Sequence, residues 1–264
     1  MHLVASAGSE GRTQITRQSF RAPFHISKPY WDGAVLQVQV VNPTAGILEG
    51  DRLELEARVE PGAALLVTTP AAARAFMMRS GAAACRQVLG VAAGGWLEYQ
   101  PEPLYPHRDA DYVQATRLEV DVGGEAAYFD ALAPGRVGRG ERWAWRRLRV
   151  SLDVHYGGEP VLRECLDGDG SALAAAAEMH RTPDAFFGTL VLMTERLRAD
   201  DPVWEAVRAL HGGGRWVGAS ALRRGGWVVR VIAPGGQALR DTVADLRRLL
   251  AAALPGLASD LRKL

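Results

Sequence analysis

Apolar and polar residues alternate along the first two thirds of the chain. Leu36, Val38 and Val40 alternate with Gln37 and Gln39. Leu53, Leu55, Ala57 and Val59 alternate with Glu54, Glu56, Arg58 and Glu60. Leu148, Val150, Leu152 and Val154 alternate with Arg147, Arg149, Ser151 and Asp153. A period of two means strands, each with one wet face. Further strands are predicted at 64–69, 86–91, 96–99, 112–122, 160–166, 188–196, 216–222 and 226–232. Turn chemistry separates them at Pro61-Gly62, Gly94-Gly95, Gly123-Gly124, Gly157-Gly158 and Gly225-Gly226. Regularly spaced strands with glycine turns predict a mainly β architecture.

The period changes late in the chain. Asp201-Pro202 has the form of a helix start ahead of Val203, Val207 and Leu210, and His211-Gly212 closes it. Leu239, Val243, Leu246, Leu250 and Ala253 then mark one apolar stripe of a helix that ends at Pro255. The alanine-rich stretch 171–179 fits a helix or a loop. No linker, repeat or low-complexity tract marks a boundary. The expectation is one unit over 1–264, disordered over 1–12, with helices at 200–212 and 237–254 as an annex.

Composition narrows the partners. Lys and Arg number 31 and Asp and Glu 30, for a formal charge of +1, which argues against nucleic acid or a membrane surface as the main partner. A 48% hydrophobic content allows a sizeable core. Cys85 and Cys165 form no CxxC pair, which argues against a disulfide framework or a cysteine zinc site. There is no apolar run long enough to span a bilayer, and a cytoplasmic address is expected.

Catalytic motifs are scarce. The six histidines show no HExxH spacing, and no GxSxG elbow occurs. His107 stands out because it follows a proline-rich loop. GRVGRG (135–140) lacks the lysine of a phosphate loop and reads as a tight corner, with Arg136 and Arg139 able to fork onto Glu141 or Asp130. Met77-Met78 allows soft metal ligands but reads better as gap-filling core or interface, and Trp143 with Trp145 allows a base-stacking platform but reads better as a packed β face. The carboxylates Asp51, Glu98, Glu102, Asp130, Glu141 and Glu164 allow three roles: an acid/base pair for glycoside hydrolysis, transient holding of a cation, or surface pairing with arginines.

Those acids fall in or beside ordered landmarks: NPTAGILEGD (42–51), TTPAAARAF (68–76), LEYQPEPLYP (97–106), DALAPGRVGRGE (130–141), LRECL (162–166) and FGTLVL (187–192). Pro101, Pro103 and Pro106 make the third a stiff extended rod, expected to display Glu98 and Glu102. The series, over roughly 19–232, resembles the urease accessory family UreD, also called UreH. It departs mildly at Ala45, where the family often has a second glycine, and at Arg74, where it often has lysine. The resemblance implies an irregular, β-helix-like stack of β-sheets with about two helices toward the C-terminal part. It implies a maturation factor rather than an enzyme, binding apo-urease and UreF- and UreG-type partners. It further implies no tightly bound cofactor, with transient nickel passing through a polar channel. Asp51, Asp130 and Glu164 match acidic family positions for such a path, and Glu98 and Glu141 are added candidates. Trp204, Leu210 and Trp227 are candidates for docking a UreF-type protein. A carbohydrate-active β-protein using two of the listed acids, testable at Glu98 or Glu141, and a pure scaffold are the competing readings.

Overall fold

The computed structural model describes residues 1–9 and 11–261. The longer strands, in chain order, are β1 (His2–Ala7), β2 (Thr13–Ser19), β3 (Val35–Val41), β4 (Arg52–Val59), β5 (Ala64–Thr68), β6 (Ala83–Val91), β7 (Trp96–Gln100), β8 (Asp111–Val120), β9 (Glu125–Leu132), β10 (Arg147–Tyr156) and β11 (Glu159–Gly168). Then follow α1 (Ser171–Met179), β12 (Phe186–Met193), α2 (Val203–Ala209), β13 (Trp216–Ala221), β14 (Gly226–Ala233) and α3 (Gly236–Leu250). The chain is therefore mainly β with late helices, and the alanine-rich stretch is helical.

The strands form two sheets. One runs β11-β10-β8-β6-β4-β1-β2, and the other has the path β13-β14-β12-β9-β7-β5-β3. From β3 to β10 the chain crosses between the sheets at every step, and within each sheet those strands pair in parallel. The result is a β-solenoid-like stack of coils. At one end each coil turns tightly at a glycine: Gly62, Gly94 and Gly123 have φ of 74°, 72° and 83°, which a side chain resists. Successive turns bond to one another, the Gly62 N–H donating to the Gly94 carbonyl at 3.2 Å and the Gly94 N–H to the Gly123 carbonyl at 2.8 Å. At the other end the chain returns through longer loops. These returns carry the first four sequence landmarks, so motifs spread over about a hundred residues meet at one end.

The N-terminus departs from expectation. His2–Ala7 is ordered strand, paired in parallel with β4, because Leu3 and Ala5 alternate into the core and are fully buried.

Between the sheets, the half near the glycine turns is apolar, with Leu36, Leu65, Leu89, Leu97, Leu118 and Val191 among its buried residues. The outer face of the second sheet is covered by α2, α3 and a short turn at Pro255–Ala258, around Trp96, Phe129, Trp204, Trp227, Leu246 and Leu250. Trp204 and Trp227 stack at 4.0 Å between ring centroids and are 1% and 9% exposed. Neither is free to dock a partner as expected; burial of two indoles fastens the helices to the sheet. Among the described residues no helix is long and apolar enough to cross a membrane.

Candidate functional site

At the return-loop end the inward positions change character without changing phase. Along β8, Tyr112, Gln114 and Thr116 point the same way as Leu118 and Val120, and along β6, Cys85 and Gln87 share the face of Leu89 and Val91. Buried polar side chains persist only when hydrogen-bonded. Here Thr116 Oγ1 donates to Gln87 Oε1 at 2.9 Å, and the Tyr112 hydroxyl donates to Gln114 Oε1 at 3.3 Å. Gln114 Nε2 in turn donates to Asp130 Oδ2 at 3.2 Å, and the Tyr128 hydroxyl donates to the same oxygen at 3.1 Å. Tyr128 stacks on Tyr99, ring centroids 5.6 Å apart. The network converges on one carboxylate.

Two cavities flank that carboxylate. One, of about 140 Å³, lies between the sheets and reaches the return loops at Thr44, Ala45 and Ala71, with Cys85, Gln87, Tyr99 and Gln114 on its walls. The other, of about 420 Å³, is lined by Tyr128, Glu164, Thr189 and Arg230 among others. Asp130 and Leu104 line both. Both are large enough to admit water. Burial is the main influence on Asp130 and lifts its pKa from 3.8 to about 6, against the hydrogen bonds from Tyr128, the Ala131 backbone and Gln114. Burial likewise pushes the Cys85 thiol up to about 11.

The mouth of the first cavity depends on Gly46. Its φ of +153° and the close approach of the Arg74 carbonyl and the Phe76 ring leave no room for a Cβ. Ile47 N–H donates to that Arg74 carbonyl at 2.7 Å, which locks the first two return loops together. The adjacent Ala45 has no positive φ, so the departure there from a double glycine is accommodated.

The five predicted acids separate. Asp130 and Glu164 face the same cavity. Asp51 instead accepts a hydrogen bond from the Leu48 N–H at 2.8 Å and closes its own loop. Glu141 is clamped by Arg136 through two bonds of 2.8 and 2.6 Å, the fork expected of that corner. Glu98 is not displayed on a rod. It is 1% exposed and points to the opposite face of the second sheet, where Arg247 of α3 grips both its oxygens at 2.7 and 2.9 Å. Glu98 and Glu141, the two acids at which glycoside hydrolysis is testable, are thus both committed to arginine pairs. His107 is buried against Phe76, and burial lowers its pKa. Among the described residues no three His, Cys, Asp or Glu side chains converge as a metal centre would require.

The residues missed from sequence are Gln87, Gln114, Thr116, Tyr128, Thr189 and Arg230. Their signal is polarity at inward positions of a strand whose other inward positions are aliphatic.

In comparison with known proteins, residues 1–263 match the family described as UreD urease accessory protein. The chain is 49% identical over 266 residues to the urease accessory protein UreD of Opitutus terrae, covering 100% of this chain and 98% of that protein. It is 30% identical over 212 residues to UreD 2 of Brucella suis, covering 74% and 68%. With UreD of Acetivibrio thermocellus the identity is 30% over 158 residues, covering 59% and 60%.

Proposed function

This chain belongs to the UreD family of urease accessory proteins, and from that premise we propose that it is a non-enzymatic urease maturation factor with an internal route for nickel. It binds apo-urease together with UreF- and UreG-type proteins in the cytoplasm. Nickel, as cargo, enters between the sheets and passes Asp130 and Glu164. The observation that carries this reading is the pair of cavities meeting at Asp130.

The chemistry suits a delivery role. A Cys/His cage holds a borderline divalent ion too tightly to release it, whereas carboxylate, amide and water ligands hold it weakly. Asp130 supplies charge, while Gln87, Gln114 and Thr116 supply neutral dipoles from the neighbouring sheet. The return loops, which carry the family landmarks, frame one opening of this route.

The test is the double variant Asp130→Ala, Glu164→Ala, co-expressed with the UreF-type protein and apo-urease. The expected result is normal co-elution with reduced nickel per urease active site. Normal co-elution with normal nickel loading would discard the route and leave a scaffold.

A further inference from the structure

Arg230 occupies an unexpected place. It sits on a strand of the second sheet but faces the first, and it is the only cation among the described residues lining the larger cavity. Asp130, Thr189 and Arg230 stand opposite one another in register across β9, β12 and β14. At the usual strand spacing this places the Arg230 backbone about 10 Å from that of Asp130. Arg230 Nη1 donates to Thr189 Oγ1 at 2.5 Å, and Nη2 forms an ion pair with Glu164, which β11 presents from the opposite sheet. The guanidinium thus bridges the two walls. Its side chain is 49% exposed, against 25% for Glu164, so the bridge stands where the cavity meets solvent.

We propose that Arg230 is a tethered counter-cation that gates this cavity, holding Glu164 until a divalent cation displaces it. The inference rests on the reading of the cavity as a nickel route and adds to it an occupant and a selectivity rule.

The selectivity follows from charge. With the guanidinium in place the cavity contains two carboxylates and one positive charge. Exchanging the guanidinium for a monovalent cation leaves that balance unchanged and gains nothing to offset dehydration. Exchanging it for a divalent cation neutralises both carboxylates. An intracellular excess of potassium therefore has no advantage over Arg230, while a divalent ion does. The gate opens readily, because a half-exposed arginine pair is held only weakly and the released guanidinium is rehydrated outside. An arginine serves better than a lysine here, since its fork engages the hydroxyl and the carboxylate together.

The experiment uses the purified full chain and nickel sulfate, with binding read by isothermal titration and by equilibrium dialysis with metal analysis. Arg230→Gln is expected to bind nickel about tenfold more tightly than the parent, the scale of losing one unit charge a few ångströms from the ion in wet surroundings. Potassium chloride at about the physiological ionic strength is expected to weaken binding to Arg230→Gln more than to the parent, beyond general screening. Adding Glu164→Gln is expected to remove the gain. Thr189→Val, which frees the guanidinium on one side only, is expected to give a smaller rise with the same dependence on Glu164, and it serves if Arg230→Gln does not fold. A folded Arg230→Gln or Thr189→Val chain that binds nickel no more tightly than the parent, or no nickel at all, would overturn the gate. So would a gain that survives Glu164→Gln. The nickel route itself fails separately, if the Asp130→Ala, Glu164→Ala variant loads urease normally.

Discussion

Replacing Asp130 by asparagine should stabilise this protein at neutral pH and destabilise it in acid. Burial raises the Asp130 pKa from 3.8 to about 6. The folded chain therefore holds a proton that the unfolded chain releases between those values. The stability associated with that proton is fully present below pH 4 and is lost as pH rises through about 6. Above pH 7 the ionised carboxylate costs folding about 3 kcal/mol, at about 1.4 kcal/mol for each tenfold change in proton affinity. Asparagine removes that cost. Its Oδ1 keeps an acceptor for Gln114 and Tyr128, but its amide brings a new donor into a place that already holds two, at a loss of about 1 kcal/mol. The net gain near pH 8 is about 2 kcal/mol, or roughly 4–8 °C in melting temperature for a chain of this size. Near pH 4 the ionisation cost falls below the hydrogen-bond loss, and the variant becomes the less stable. Paired thermal melts of parent and variant, followed by circular dichroism from pH 4 to pH 8, measure the difference and cancel the titration of every other group. A variant less stable at all pH values, or a difference independent of pH, would refute the desolvation of Asp130 on which this reasoning stands. The expected crossover would show that the carboxylate is retained at the expense of stability.

Three further outcomes follow from local geometry. Ellman's reagent should label Cys165 alone in the native chain and both thiols after unfolding, because Cys165 is exposed while Cys85 is buried with its pKa raised to about 11; two fast native thiols would contradict the burial. Glu98→Gln should cost about 3–5 kcal/mol in urea titration, by leaving Arg247 without its partner, whereas Glu98→Leu with Arg247→Met should recover most of that loss; a harmless single variant would count against α3 being held by this pair. Gly46→Ala should cost about 1–3 kcal/mol because of its positive φ and the Arg74 carbonyl, while Ala45→Gly should cost well under 1 kcal/mol; equal effects at the two positions would contradict the loop geometry.

Period-two alternation locates the strands of the first sheet because one of its faces is wet. In the second sheet it finds β3 but misreads its polar face, since Gln37 and Gln39 are buried rather than wet, and it finds nothing where a strand buried on both faces is apolar almost throughout. Glu125–Leu132 passes between the sandwich core and the helical layer, reads as nearly continuous apolar residues, and escapes prediction together with the setting of Asp130. Glu98 is misplaced for the same reason, since every residue of β7 is buried and nothing in its pattern says which face holds the acid. The late helices are legible because one stripe of each is apolar and the other side is wet; the residues at 251–254 lie beyond the end of α3 because the last turn loosens before Pro255. The landmarks identify a family, but their meeting at one end depends on parallel pairing between distant strands, which leaves no local trace. The indoles Trp204 and Trp227 illustrate the general bias: a large apolar side chain on an amphipathic element belongs to the core unless something shows otherwise.

The strand order has a consequence for how the chain is made. After the β1–β2 hairpin, β4 pairs with β1, and each later strand of the first sheet lies beside the one that preceded it in that sheet, from β6 through β11; the second sheet follows the same rule up to β12. A nascent chain leaving the ribosome at ~5–20 residues per second can therefore dock each coil on a finished template. This vectorial growth breaks at β13, which must wait for β14 before it can pair. The helices that cover the second sheet flank that step, α2 before it and α3 after it, so this edge of the sheet and its covering layer form together.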